Sequence, residues 1–178
     1  MSDVLVSNPL VRLLPLDGLV LIMTRVLGID FGTRRIGAAV SDPRRMIATP
    51  LEVYERRDAA QDARHYRALA IEHEVDLAVV GLPLHTGGRE GTSAGLARSW
   101  GIWLAGVTAV PVTYFDERYT TVEAEEALIA AGLKRQRRKG LRDMLSAQIL
   151  LQNFLDAGCP TAEAPATPLS DPVDGGDS

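Results

Sequence analysis

Four carboxylates in this sequence stand at the ends of apolar runs, where a side chain can leave the core and meet a ligand. Asp30 lies within Val26-Leu27-Gly28-Ile29-Asp30-Phe31-Gly32-Thr33, where an apolar strand meets a glycine-containing turn. If Ile29 and Phe31 face one side of a sheet, Asp30 faces the other and needs a cation or hydrogen-bond donors; the alternative is that it caps its own hairpin turn. Asp116 and Glu117 follow the run 112–115 directly. Adjacent carboxylates on an extended chain point in opposite directions, so at most one joins a shared site, while the other can pair with Arg118 or favour a helix entrance. Asp143 falls on a helical stripe: at about 100° per residue it shares a face with Ala147, Leu150 and Phe154, and Arg142, Gln152, Asn153 and Asp156 fall on the opposite face. An acid on an apolar stripe is costly unless a divalent metal or a buried partner neutralises it, or the helix end lets it reach solvent.

Acidic groups gathered from strand ends and a helix start suit Mg²⁺ or Mn²⁺, which prefer oxygen and leave room for water and phosphate oxygens. Asp30, Asp116 and Asp143 are the candidate ligands, with Glu117 an alternative to Asp116 that the sequence leaves open. Two such ions activate a water and stabilise the leaving oxygen in phosphodiester hydrolysis, so the chemistry implied is nucleolytic. Lys134, Arg135, Arg137, Arg138, Lys139 and Arg142 crowd the approach to Asp143 and place phosphate-binding charge beside it.

These groups must be positioned by an alternating pattern of elements. Residues 26–31 and 36–40 read as strands joined by a Gly32-Thr33-Arg34 hairpin turn, and 46–53 as a third strand weakened by Pro50. Apolar residues at 59, 63, 66 and 70 predict a helix over 58–73, and 77–82 is a buried-strand run. A helix over 91–107 puts Leu96, Trp100, Trp103 and Val107 on one stripe, where the tryptophans read as core rather than as a base-stacking platform. Residues 110–115 favour a strand, Thr120-Thr121-Val122-Glu123 is a capping box opening a helix to about 132, and a last helix spans 140–157.

With 178 residues, 46% hydrophobic and 24% charged, the composition is that of one globular domain. No apolar run is long enough to span a bilayer or to make a signal peptide, which points to the cytoplasm and no membrane partner. A lone Cys159 excludes an internal disulfide and a cysteine-rich metal cluster, and reads as a residue without chemical work. The net charge of −4 is unevenly spread: residues 159–178 carry −4 and residues 1–22 carry −1, leaving a body at +1. The domain is therefore expected over 25–158. Residues 1–24 form an unpatterned extension in which Met23 is an alternative start, and 159–178 form an acidic, proline- and glycine-rich tail predicted to be disordered.

Four segments in order resemble the YqgF/RuvX family of pre-16S rRNA nucleases: Gly28-Ile29-Asp30-Phe31-Gly32-Thr33-Arg34-Arg35-Ile36-Gly37, then Val80-Gly81-Leu82-Pro83-Leu84, then Asp116-Glu117-Arg118 with Thr120-Thr121-Val122-Glu123-Ala124, then Lys139-Gly140 with Asp143 and Ala147. The resemblance covers about 25–158. It implies an α/β, RNase H-like fold with a mixed five-stranded sheet flanked by helices, and an acidic site at Asp30, Asp116 or Glu117, and Asp143. It also implies processing of the 5′ end of precursor 16S rRNA, with precursor rRNA or a ribosomal particle as partner. The chain departs from the family after Leu84, where His85-Thr86-Gly87-Gly88 replaces the usual Asn-containing turn. His85 could assist proton transfer, though a loop histidine is more often bland, and His65 and His73 carry less weight.

Three other readings remain. Branched DNA is the substrate if the chain is a four-way-junction resolvase of the same fold. A non-catalytic RNA- or ribosome-binding module would keep the acids for structure. The Asp30 to Thr33 turn also resembles the phosphate loop of actin/Hsp70-like ATPases, whose nucleotide lies between two such halves where this chain supplies one.

Overall fold

Short runs of β-branched and small apolar residues pair into a five-stranded sheet, and two layers of amphipathic helix cover its faces. The computed structural model describes residues 24–83, 91–116 and 135–160, with side chains of the last span described at Arg142 and from Met144 onward. Among the described residues the elements are β1 (Arg25–Asp30), β2 (Arg35–Ser41), β3 (Ala48–Glu55), α1 (Ala59–Glu72), β4 (Val75–Leu82), α2 (Thr92–Thr108), β5 (Val112–Asp116) and α3 (Arg135–Asp156). The sheet order is β3-β2-β1-β4-β5. β1 pairs antiparallel with β2 and parallel with β4, so the sheet is mixed, as expected for an RNase H-like fold.

Pro50 is tolerated because β3 is an edge strand and because the register slips there: Ala39 pairs with Pro50 and Ala38 with Glu52, leaving Leu51 as a bulge. Strand alternation then sorts the core. Leu27, Ile29, Ala78 and Val80 pack with Tyr66, Trp100 and Leu104 on the α1/α2 side. Val26, Val79 and Leu77 pack with Ala147, Leu151 and Phe154 of α3 on the other. Trp100 is buried in that first cluster and Trp103 packs against it, as their spacing suggested.

Several expectations shift. On α2 the buried stripe is Ala94, Ala97, Trp100, Gly101 and Leu104, and Leu96 is exposed. On α1 it is Asp62, Tyr66, Leu69 and Ala70, so a carboxylate occupies a position that the apolar spacing at 59 and 63 did not mark. The last helix begins at Arg135 rather than at 140, with Gly140 in its interior. An interior glycine costs about 1 kcal/mol and cations at a helix N-terminus oppose the macrodipole, so local propensity argued for a later start. Gln152 is not on a solvent face: its side-chain oxygen accepts from the Ala48 amide at 3.0 Å and its nitrogen donates to the Met46 carbonyl at 3.0 Å, while Gln148 donates to the Ala48 carbonyl at 3.0 Å. The two glutamines thus occupy backbone groups of edge strand β3.

α3 seats on the sheet closely because Gly28 has no side chain; a Cβ there would lie 2.6 Å from Leu151 Cβ. The helix closes with the Cys159 amide bonded to the Phe154 carbonyl and the Gly158 amide, at φ 78°, to the Leu155 carbonyl, the paired bonds of a Schellman motif. Cys159, expected to be the first residue of a tail, packs against the α3 side of the core, and burial pushes its thiol up from the ordinary value. The helix expected over 120–132, the His85 loop, residues 1–23 and residues 161–178 lie outside the described residues.

Candidate active site

β1 runs in the middle of the sheet and ends at Asp30, on the same parity as Val26 and Gly28 and therefore toward α3. Because α3 packs Ala147 and Leu151 over Gly28, its preceding turn reaches the end of β1. Asp30 there lines a cleft of about 930 Å³ together with Gly32, Thr33, Arg34, Arg35, Glu55, Arg56, Arg57, Arg142 and Ser146. Arg142, placed by helical spacing on the face opposite Asp143, stands at the flank of the buried stripe and faces this cleft beside Ser146. Its spacing from Ser146, one helical turn, is what puts both on one edge.

The cleft lining carries five arginines against two carboxylates, a net charge of +3. Four of those arginines were not singled out from the sequence. They come as two dipeptides, Arg34-Arg35 and Arg56-Arg57, some twenty residues apart, and the hairpin register joins them: Arg35 pairs with Glu55, and the Arg56 amide donates to the Arg34 carbonyl at 2.9 Å. The signal was the repeated Arg-Arg at the open ends of two adjacent strands.

Behind this rim lies a buried acid. Asp62, 1% exposed, accepts from the Tyr54 hydroxyl at 2.9 Å, from the Arg57 amide at 2.9 Å and from Arg56 Nε at 3.4 Å. Desolvation, and then this contact with Asp62, push the Tyr54 hydroxyl above its ordinary pKa, so it stays a donor. His65 stacks on Tyr54 with ring centres 4.0 Å apart and pairs with Glu52, on the far side of β3 from the cleft.

The other candidate acids are placed differently. Asp116 pairs with Leu82 at the end of β5, and alternation assigns it to the face of Val112 and Tyr114, the α1/α2 side, whereas Phe115 meets Phe154 on the α3 side. It is not among the residues lining the cleft. Asp143 belongs to α3 between Arg142 and Ser146, with its side chain outside the described residues. Glu117 and Lys134 are outside them as well. Arg135, Arg137, Arg138 and Lys139 lie on the first turns of α3, their side chains also outside. Among the described residues no group of three histidine, cysteine, aspartate or glutamate side chains converges on a metal position, and no helix is long and apolar enough to cross a membrane.

Residues 24–157 match the profile of RuvX, described as Holliday junction resolvase. A relative from Lactococcus lactis subsp. lactis is 41% identical over 135 residues, 75% of this chain and 94% of its own. One from Anaeromyxobacter sp. (strain K) is 42% identical over 136 residues, 76% of this chain and 99% of its own. Both bear the name "Putative pre-16S rRNA nuclease". Among solved structures, T. thermophilus RuvC in complex with a Holliday junction substrate is 18% identical with a TM-score of 0.48, over 76% of this chain and 98% of that one. The fowlpox virus resolvase in complex with Holliday junction DNA is 9% identical with a TM-score of 0.49, over 77% and 100%. At those values the likeness carries no argument about substrate. The profile match and the two relatives of more than 40% identity, each covered over nearly its full length, make the chain a member of the RuvX family.

Proposed function

We propose that the protein is a divalent-metal-dependent nuclease that processes the 5′ end of precursor 16S rRNA, free or on a ribosomal particle, in the cytoplasm. The observation that carries this reading is a carboxylate, Asp30, in an arginine-lined cleft at the end of a central strand. Arginines bind phosphate oxygens bidentately, whereas a carboxylate among them repels phosphate and is suited instead to holding a cation beside it. The name borne by the relatives supplies the RNA.

Carboxylate oxygens suit Mg²⁺ or Mn²⁺. Asp30 and Asp143 would hold the ion: Arg142 and Ser146, which flank Asp143 in sequence, both line the cleft with Asp30. For the third carboxylate, alternation puts Asp116 on the face opposite Asp30, and Glu117, the alternative the sequence leaves open, lies outside the described residues. Such an ion, when bound, lowers the pKa of a water and stabilises the leaving oxygen. The chain's own part is to fix Asp30 on a strand paired on both edges, to orient phosphate through Arg142, and to concentrate positive potential through the basic first turns of α3.

The test is incubation of the full chain with precursor 16S 5′ ends and with four-way DNA, each in EDTA, Mg²⁺ and Mn²⁺. Metal-dependent cutting of the RNA at a discrete position is expected. Cutting of the junction alone would favour the second reading, a resolvase, which the family's own description supports. RNA bound but uncut under every condition would leave a non-catalytic binding module.

A further inference from the structure

We infer that Arg34, Arg35, Arg56 and Arg57 form a phosphate-binding wall for the nucleic-acid backbone on the β2/β3 side of Asp30, and that buried Asp62 is its positioning residue. This rests on the nucleic-acid reading above and adds to it a surface separate from the basic run on α3.

Three observations carry it. The wall is built by the fold: strand register, and the 2.9 Å bond between the Arg56 amide and the Arg34 carbonyl, bring two distant Arg-Arg pairs to one rim of the cleft. The cleft lining carries five arginines against Asp30 and Glu55, and that excess of positive charge favours an anion at the site. Asp62 is also an expensive residue where it stands. A buried carboxylate is outperformed by a packed apolar group unless its partners need it, and its partners are the Arg57 amide and Arg56 Nε, both of residues lining this rim, with Tyr54 behind them on the α1/α2 side. Finally, Arg56 is held from two sides: Asp62 takes Nε, and the guanidinium carbon lies 5.7 Å from the centre of the Phe31 ring, itself packed on Trp100. An Nε held by a carboxylate leaves the terminal guanidinium nitrogens for a second anion.

A strand whose scissile phosphate lies at Asp30 would then be gripped by this wall on one flank and by Arg142 with the first turns of α3 on the other. The ligand chemistry is the repeating phosphodiester, not a single anion.

The experiment measures equilibrium binding of a labelled RNA hairpin in EDTA, where nothing is cut, across a range of KCl concentrations. Removing Arg34 and Arg35 together (R34Q/R35Q), or Arg56 and Arg57 (R56Q/R57Q), should each lower the slope of log K against log salt by about two and weaken binding roughly tenfold or more. Unchanged slopes in both pairs overturn the wall. Asp62→Asn should weaken binding in the parent chain but add nothing in an Arg56→Gln background, because it acts through that arginine. If the two effects simply add, Asp62 is merely structural and its positioning role is overturned; if Asp62→Asn does not fold, the arginine pairs still decide the wall. Inorganic phosphate is the competing probe: displacement of the hairpin at equal phosphate concentration identifies a single-anion site and overturns the track. Arginine-dependent slopes without any cleavage in Mg²⁺ would uphold the wall while the nuclease reading fails, and cleavage with unchanged slopes would do the reverse.

Discussion

Gly28→Ala tests whether the seat of α3 sets the geometry of the site. The added Cβ would lie 2.6 Å from Leu151 Cβ and 3.3 Å from the Ala147 carbonyl oxygen, where carbon contacts settle at about 3.5–4.0 Å. Leu151 cannot escape by changing rotamer, because its Cβ is fixed to the helix backbone; α3 must retreat by about 1 Å. Overpacking of this kind costs about 1–3 kcal/mol, against a gain of about 0.4–1 kcal/mol from the less flexible unfolded chain. The net loss of about 1–2 kcal/mol should lower Tm by about 2–8 °C in a protein of this size. The same retreat carries Arg142 and Ser146 away from Asp30, and a displacement of about 1 Å can cost about 100-fold in rate. Urea melts and single-turnover RNA cleavage measure the two effects separately. Leu151→Ala should not rescue Gly28→Ala, since alanine keeps the colliding Cβ. As a control, Gly95→Ala and Gly106→Ala on α2 meet nothing within 4 Å and should each stabilise by about 0.5–1 kcal/mol. A Gly28→Ala protein with undiminished stability and rate would refute the reasoning.

Further outcomes are expected. Asp30→Asn and Asp143→Asn should each abolish metal-dependent cleavage while leaving RNA binding in EDTA within about threefold, since an amide is nearly isosteric but a poor replacement for an anionic ligand; gel-based cleavage and anisotropy read the two. Neutralising Arg137, Arg138 and Lys139 together should lower the salt slope of binding by about two to three, and an unchanged slope would assign those charges to solvent. Removing residues 1–22 and 161–178 should shift the thermal midpoint by no more than a few degrees. Cutting before Cys159 should cost more, because the closing bond to Phe154 and the core contact go with it.

What was legible in the sequence was whatever has a short period. Alternation around Ile29 put Asp30 on its own face of the sheet, and the stripe through Ala147, Leu150 and Phe154 put α3 on the core; all three of those helix residues are 0% exposed. Groups whose partners are far along the chain were not legible. Gln152 sits where a helical wheel assigns solvent, and only the nearby Ala48 backbone, 104 residues away, makes that place useful to an amide. Asp62 lies on a buried stripe because Arg56, Arg57 and Tyr54 close over it, and the arginine rim exists only once β2 and β3 are paired. The early start of α3 was obscured because Gly140 and a run of cations both argue locally for a loop.

The pairing of β1 has a consequence for how substrate can be accommodated. With β2 hydrogen-bonded along one edge and β4 along the other, the strand bearing Asp30 cannot move without breaking two ladders, so its amides near Gly28 should exchange with solvent only on global unfolding. Opposite it, Arg56 is held by Asp62 and Phe31, whereas the side chains of Arg34 and Arg57 are exposed and can change rotamer at little cost. On the proposed reading the cleft has a stiff anvil beneath two long, exposed side chains: Arg34 and Arg57 can adjust to backbones of different groove width, while the carboxylate that would hold the ion keeps a single position.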